Sequence, residues 1–584
     1  MQNNVTTFRF NASLNGSFEL GEGKFWDWDA GYLYNQNKGV QISTGNLNTA
    51  NVALATGPSF VNAQGVVQCG SALNPITLGT GGGSCTPWNP LVPFGYSSRN
   101  SLADPNVQQF LYQPGQAVSK TETTDYYANI AGTLFTLPAG DVGLAVGIEH
   151  RNESGTFSPD ALSQTGISTD LAAGPTGGGY SLDEVYAELQ VPILSDVFFA
   201  RELSINLASR YSDYDTFGDT TNSKFGFKWK PFDQLLFRGT WAEGFRAPTV
   251  ADLYGGGSQT FSFYADPCDS VYGNARGSAR CLQDVPVGFR QLANTASGLS
   301  GATEAQSDRA FNSGSNPGLT PETSVSKTLG VVWSPTFAEG LNVTLDWWKY
   351  KIENTIIGDT ETAVLADCYV RGIESRCSDP TGSRFTRDAN GVITYFATTP
   401  INVGYIQTEG FDFDVAYSYE TSYGRFGLLL QNSYTVKNEQ KTDNDQTTPP
   451  SQNNGFGGYI RLRSNGTLSW SQGDWGASWT SRFYSGVKAQ CFDVTDPAIA
   501  CSLPNYTAPD LNGNITPQDQ LGGTTFHDFQ VNWKAPWNAS IALGANNVFD
   551  HYGPSNADQP NSGYSYYGGF DIGRFMYLKY QQRF

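Results

Sequence analysis

The chain has 584 residues, of which 15% are charged, and its formal net charge is −19. The excess of 54 acidic over 35 basic residues argues against a nucleic-acid binder, because a polyanion would be repelled. The aromatic content of 14% argues against disorder, and no run of about 18 apolar residues offers a membrane-spanning helix. Large all-β classes remain: a sandwich, a propeller or a membrane barrel.

Alternation of apolar and polar residues predicts about 17 β-strands, which come in pairs with alternately short and long connections. In chain order the predicted strands are Val5–Phe18, Phe25–Gln36, Thr123–Thr136, Asp141–Glu153, Tyr180–Leu194, Leu203–Tyr214, Thr221–Lys230, Leu235–Phe245, Ser324–Trp333, Leu341–Asn354, Asn402–Tyr419, Gly424–Asn438, Gly455–Trp470, Trp475–Val487, Thr524–Trp533, Ala539–Phe549 and Gly573–Phe584. Strands of soluble proteins centre near about 5–6 residues, whereas a strand needs about 9–11 to cross a bilayer. Strand length and loop asymmetry therefore predict a transmembrane antiparallel β-barrel.

The two ends of the chain lead to different expectations. The N-terminal residues lack the basic start and apolar core of a secretory signal. If the last strand ends on the short-turn side, an odd number of strands means that the first strand starts on the long-loop side. Bacterial single-chain barrels normally have an even number of strands, with both ends on the short-turn side. We therefore expect residues 1–584 to be a partial barrel. The last strand ends on Phe584 with Tyr580 on its apolar face. An ordinary edge strand would show a similar alternation of apolar and polar residues. This ending nevertheless resembles the terminal strand of Gram-negative barrels, which the barrel assembly machinery recognises.

The eight cysteines fall into local pairs within four different long loops: Cys69 with Cys85, Cys268 with Cys281, Cys368 with Cys377, and Cys491 with Cys501. This clustering favours nearest-neighbour disulfides over the many other pairings. Close zinc-type spacings are absent and the chain has only three histidines, so a structural zinc site is disfavoured. Disulfides form in oxidising compartments, which indicates that the long loops are extracellular.

Several segments resemble TonB-dependent outer-membrane receptors. They are WAEGFRAPTVADLY (241–254), NPGLTPETSVSKTLG (316–330), TRDANGVITYF (386–396), NVGYIQTEGFDFDV (402–415), NNVFDHYGP (546–554) and the C-terminal FDIGRFMYLKYQQRF (570–584). The motifs occur in the family's order, and together they are more specific than any one alone. The resemblance implies localisation in the Gram-negative outer membrane, contact with its lipid, and ligand-specific uptake driven by the TonB complex.

The family's barrel has about 22 strands and a plugged lumen. The plug would contact TonB, yet no plug or TonB-contacting segment is recognised in the chain. We therefore expect about 17 of 22 strands, with the plug and the first strands missing.

Binding, rather than catalysis, is the function that the residues favour. No hydrolase, zinc-protease or phosphate-loop motif is present, so we predict neither an enzyme nor a cofactor. Loops on a rigid scaffold commonly recognise ligands, and aromatic faces suit sugar rings and flat ligands. The predicted contacts to a small-molecule ligand are Trp88, Tyr96, Tyr254, Phe261, Phe263, Tyr264, Arg276 and Tyr566, although these rings could instead pack the loops together. His527, in a predicted strand, is expected to face the lumen.

The loop arginines are scattered, without the dense cluster that a strongly anionic ferric siderophore would need. Acidic, aromatic and Asn-rich loops therefore favour a neutral solute such as an oligosaccharide. Two other functions remain open: a passive, plugless porin-like channel and a surface β-rich adhesin.

Overall fold

The computed structural model describes residues 1–21, 23–93, 95–96, 99–291, 305–307, 309–379, 382–445, 447–491, 496–507, 517–554 and 573–583. Seventeen long strands form one antiparallel sheet, in which each strand pairs with the next along the chain. They are β1 (Gln2–Glu19), β2 (Phe25–Ser43), β3 (Gly115–Leu137), β4 (Gly140–Ser158), β5 (Thr176–Val197), β6 (Ala200–Tyr214), β7 (Gly218–Phe232), β8 (Leu235–Arg246), β9 (Glu322–Trp333), β10 (Leu341–Gly358), β11 (Pro400–Thr421), β12 (Gly424–Lys441), β13 (Leu462–Gln472), β14 (Trp475–Tyr484), β15 (Thr524–Ala535), β16 (Ala539–Asn546) and β17 (Phe575–Gln582). The predicted all-β class, antiparallel pairing and strand count are confirmed.

Many strands are longer than the sequence predicts. Strand β3, for example, begins at Gly115 rather than Thr123, because its pairing with β2 continues to Ser43. The prediction is wrong at the start of β13, which begins at Leu462 and not at Gly455. Gly455 instead lies in a turn, with a φ of 79° and its N–H donating to the Tyr459 carbonyl.

The two ends of the sheet differ as predicted. At one end, here called the short-turn end, connections such as 138–139, 233–234 and 473–474 are only two residues long. At the opposite, long-loop end, one connection is short (215–217) and seven are long. The long ones are 44–114, 159–175, 247–321, 359–399, 442–461, 485–523 and 547–574.

The two faces of the sheet have opposite chemistry. One, the apolar face, presents exposed large hydrophobic side chains: Leu207, Phe225, Ile148, Leu345, Phe411, Leu468, Phe529 and Leu543. The other, the polar face, presents ion pairs between strands, with N–O distances of 2.6–3.0 Å: Arg210–Glu184, Lys228–Glu202, Arg238–Asp346 and Arg482–Asp528. Three of them join adjacent strands, and Arg238–Asp346 reaches from β8 to β10 across Gly330 of β9. An apolar exterior and a polar interior are what a membrane barrel requires.

Aromatic residues gather at the short-turn end. Trp475 stacks on Trp533 at 5.9 Å between ring centroids, and Trp533 meets Trp537 edge-on at 5.4 Å. Farther along the sheet, Trp229 stacks on Phe237 at 5.3 Å. Such rings form a girdle at the boundary between hydrocarbon and water.

The helices are short, and all lie in the long connections. They are α1 (Thr49–Ala55), α2 (Pro105–Leu111), α3 (Ala161–Thr165), α4 (Val250–Tyr254), α5 (Ala279–Asp284), α6 (Glu361–Tyr369), α7 (Glu374–Cys377) and α8 (Pro497–Ala500). None of these helices has the length and apolar character to span a membrane, as far as the structure describes the chain.

Short strands in the same connections are Ser59–Val61, Val67–Cys69, Ser258–Thr260, Phe263–Tyr264, Ala305–Gln306, Phe311–Ser313, Ser378–Asp379, Gly382–Ser383, Phe385–Arg387, Ile393–Thr398, Ser451–Gln452, Val487–Gln490 and Gln518–Leu521. Ser451–Gln452 joins the large sheet beside β12, and the others form small sheets of their own.

The cysteines pair as nearest neighbours. The disulfides are Cys69–Cys85, Cys268–Cys281, Cys368–Cys377 and Cys491–Cys501. Six of these eight cysteines belong to two buried cores of the long connections, so three of the disulfides close their loops around packed side chains rather than at exposed tips.

Candidate functional site

Connections 247–321 and 359–399 fold together at the long-loop end, and we call their described parts the loop platform. Each contributes to one shared core of cysteine, aromatic and aliphatic side chains. Its largest buried members are Tyr264, Phe289, Phe311, Tyr369, Phe385 and Phe396. Because the two connections bury their apolar side chains against each other, they form one rigid unit above the sheet rather than two separate loops.

A buried ion pair lies inside this core. Arg387 Nη1 donates to Asp266 Oδ2 at 2.7 Å and Nη2 donates to Oδ1 at 3.1 Å. The two side chains are only 6% and 1% exposed. Arg387 Nε also donates to the Tyr369 hydroxyl at 3.1 Å, and burial raises the pKa of Tyr369 to about 12. The pair joins residues that lie 121 positions apart in the sequence.

A second charged centre surrounds Asp359, whose side chain has no exposed surface. Arg376 donates to both of its carboxylate oxygens, at 2.5 and 2.8 Å, and Arg384 lies 3.8 Å away. Arg376 also donates to Asp367 at 2.7 Å. Two guanidinium groups therefore neutralise the buried carboxylate and fix the start of connection 359–399 above β10.

Most arginines of the platform are engaged within the protein. Six lie within 3.8 Å of a carboxylate: Arg280, Arg290, Arg371, Arg376, Arg384 and Arg387. Arg276 donates instead to the Val271 carbonyl at 2.7 Å. A guanidinium group already bound to a carboxylate has fewer donors left for an anionic ligand. The described platform therefore does not present a dense, unpaired cationic surface.

An ion pair joins connection 442–461 to the platform. Arg371 Nε donates to Asp445 Oδ2 at 2.8 Å. The N–H and hydroxyl of Thr447 donate to the other oxygen of Asp445. These hydrogen bonds, followed by Arg371, lower the pKa of Asp445 to about 2.

This lowered pKa predicts how the joint responds to acid. An unperturbed Asp titrates near about 3.9, so the ionised joint stabilises the loops above pH about 4 and is lost as the pH falls toward about 2. We expect pepsin to cleave the native protein within 442–461 faster at pH 2 than at pH 4. At pH 4, where the joint is ionised, Asp445→Asn should be cleaved faster than the unmodified chain, and at pH 2 the two should be cleaved equally fast. Asp474→Asn, in a short turn at the opposite end, should behave like the unmodified chain. Equal cleavage of all three proteins at pH 4 would contradict the conclusion that the Asp445–Arg371 pair holds this connection to the platform.

The predicted ligand contacts divide by exposure. Tyr96, Phe261 and Phe263 are 69%, 41% and 63% exposed. Tyr264 is 4% exposed and packs on Phe311, and Trp88 is half-buried against the core of connection 44–114. These two rings therefore stabilise their loops.

The other predicted ligand contacts and the two residues of the predicted assembly signal lie in different surroundings. Tyr254 is half-buried at the end of α4, over the Cα of Gly178, and Arg276 is exposed apart from its bonds to backbone carbonyls. Tyr566 and Phe584 lie outside the described residues. Tyr580 is 58% exposed in β17, where Trp537 Nε1 donates to its hydroxyl.

The expectation that His527 faces the lumen is wrong. Its strand register places it on the same face as Phe529, which is the apolar face. Trp479 Nε1 lies 3.1 Å from His527 Nδ1, and the ring meets Trp479 and Phe549 edge-on. Aromatic contacts and hydrogen bonds from Trp479 and Ser481 thus accommodate the imidazole on this face. Over the described part of the chain, no group of three or more His, Cys, Asp or Glu side chains is arranged to hold a metal ion.

Comparison with known proteins agrees with this architecture. Residues 2–548 match the profile of the family described as TonB dependent receptor-like, beta-barrel. No curated protein sequence matches the chain. Among solved structures, the siderophore receptor PirA from Acinetobacter baumannii is similar over 99% of the chain, with 15% identity and a TM-score of 0.54. The ferric enterobactin receptor PfeA from Pseudomonas aeruginosa is similar over 99% of the chain, with 12% identity and a TM-score of 0.50. The chain spans 62% of the length of PirA and 69% of that of PfeA, and at these identities the likeness concerns the fold.

Proposed function

Because the chain belongs to the family of TonB-dependent receptor-like β-barrels, we propose that it takes part in active, TonB-driven uptake of a neutral oligosaccharide. Proteins of this family lie in the outer membrane of Gram-negative bacteria, where they bind small-molecule ligands and interact with TonB. The apolar and polar faces of the sheet suit that location, with lipid outside and a polar lumen inside. In this proposal the long-loop end faces the cell exterior and receives the ligand.

The observation that carries the choice of ligand is the engagement of the platform arginines. A ferric siderophore with several negative charges would have to compete with Asp266, Asp359, Asp367 and other carboxylates for these guanidinium groups. That competition would leave buried carboxylates unpaired, which is costly. A neutral ligand needs no such exchange, and it can use the exposed rings of Phe261 and Phe263 together with the polar groups of the loops.

Equilibrium binding to the purified chain in detergent tests the ligand class. Maltotriose and ferric enterobactin serve as the neutral and anionic probes, with heat of binding as the signal. We expect saturable binding of the neutral oligosaccharide and none of the ferric complex at the same concentrations. Micromolar affinity for ferric enterobactin without binding of maltotriose would overturn the proposed ligand class.

A further inference from the structure

An open groove crosses β3, β4, β5 and β6 on the apolar face of the sheet. Its volume is about 510 Å³, which lies within the roughly 300–1,000 Å³ of small-molecule sites. The apolar part of its lining consists of Tyr126, Ala128, Ile148, Val185 and Tyr211. All of these except Ala128 are 42–58% exposed. The groove therefore offers an accessible surface to a hydrocarbon chain.

The lining of the groove changes from apolar to charged toward the long-loop end. His150, Asp183 and Asp213 also line it. Each lies two residues nearer the long loops than an apolar lining residue of the same strand, so it projects from the same face. The groove thus has an apolar part and a charged part, which together suit an amphiphile.

The charged part belongs to a row of side chains that runs across four neighbouring strands. The register pairs His150 with Asp183, Asp183 with Asp213, and Asp213 with Asp219 of β7. Like charges directly opposite each other destabilise a sheet. The Asp183 side chain is 77% exposed, and Asp213 and Asp219 are exposed as well. The row is therefore open to a ligand, and a cation placed against it would relieve the repulsion.

The protein itself supplies little positive charge to this row. His150 Nδ1 lies 2.8 Å from Asp183 Oδ1, and Asn152 Nδ2 lies 3.0 Å from His150 Nε2. A neutral imidazole with its proton on Nδ1 satisfies both contacts, because Nε2 then accepts from the amide. Between the groove and the long loops, the positions of β4–β7 on this face, all of them described, include no Lys or Arg.

The charge of the row distinguishes between ligand classes. An anionic headgroup would be repelled by the carboxylates. A metal ion lacks a site, because no three His, Cys, Asp or Glu side chains of the described residues are arranged to hold one. An ammonium group carries three donors for carboxylate oxygens, and it is attracted to aromatic faces such as that of Tyr211. A lipid with an amine headgroup therefore suits both parts of the groove.

We propose that this groove binds one membrane lipid with an amine headgroup, in the leaflet nearer the long loops. Its hydrocarbon chain lies along Ile148 and Val185, and its ammonium group contacts Asp183 and Asp213 beside the Tyr211 ring. The site lies on the lipid-facing side of the sheet, away from the polar lumen. The inference therefore depends on the membrane location of the sheet and not on the proposed uptake of an oligosaccharide.

The test uses the full chain in a non-ionic detergent at pH 7, with three probes that share an octadecyl chain: octadecylamine, octadecanol and octadecyl phosphate. Native mass spectrometry counts the probes bound to each chain and gives their Kd values. Asp183→Asn and Asp213→Asn each remove a negative charge, and Ala128→Trp fills the groove without changing its charge. Glu353→Gln is the matched control, because Glu353 is a 54%-exposed carboxylate on the same face of β10 that is paired with Lys351.

We expect one octadecylamine to bind per chain, at least about tenfold more tightly than octadecanol or octadecyl phosphate. Its Kd should rise about tenfold in each aspartate variant and in Ala128→Trp, and change less than about twofold in Glu353→Gln. Equal Kd values for the amine and the alcohol would overturn the inference, as would an amine Kd that is unchanged in both aspartate variants. Octadecyl phosphate that binds more tightly than the amine once calcium is added would also overturn it, in favour of a metal-bridged anionic lipid.

Discussion

Replacing Asp266 with alanine is expected to destabilise the loop platform by about 3–5 kcal/mol, the usual effect of removing one partner of a buried ion pair. The variant leaves the Arg387 guanidinium, which is 6% exposed, without its carboxylate. Since the platform is a core separate from the sheet, its amide protons should exchange faster while those of the barrel strands stay protected. Hydrogen exchange read by mass spectrometry on peptides from 247–291 and 382–399 measures this difference.

Glu420→Ala is the control for that experiment. Glu420 also pairs with an arginine, Arg425, but the two side chains are 75% and 62% exposed. Exposed ion pairs contribute little to stability, so the amide hydrogen exchange of the loop platform should be unchanged in this variant. Equal effects of the two substitutions would contradict the conclusion that the Asp266–Arg387 pair holds the platform together.

Leu468→Arg is expected to destabilise the barrel by up to about 2–4 kcal/mol, the largest cost of a cationic side chain on the lipid-facing surface of such a barrel. Leu468 is 60% exposed on the apolar face, between Leu428 and Trp479 of the neighbouring strands. The free energy of unfolding is measured by reversible unfolding with urea in phospholipid bilayers.

The matched substitution is Gln431→Arg on the adjacent strand β12. Gln431 lies on the polar face, paired with Asp414 of β11 and Asn465 of β13. An arginine there faces the polar lumen, so we expect the free energy of unfolding to change by less than about 1 kcal/mol. The assignment of the two faces would be wrong if Gln431→Arg were the more destabilising of the two.

The barrel could be predicted from sequence because its period of two is repeated in nearly every strand. The disulfide pairing was equally accessible, since each cysteine has its partner within 16 residues. Both features depend on local spacing. The start of β13 was missed because apolar residues near Phe456 imitate a strand, although Gly455 and its neighbours make a turn.

The loop platform could not be predicted in this way. Asp266 and Arg387 come from different connections, and no spacing rule joins them. The adjacent rings of Phe263 and Tyr264 look alike in sequence, yet a two-residue strand turns one outward and the other into the core.

Energy-dependent uptake tests active transport by this protein most directly. Cells that produce the protein are given radiolabelled maltotriose, with and without a protonophore that removes the energy source of TonB. We expect saturable uptake that falls to background with the protonophore and in cells lacking TonB. Uptake that rises linearly with concentration and persists in both conditions would contradict it and would identify a passive channel.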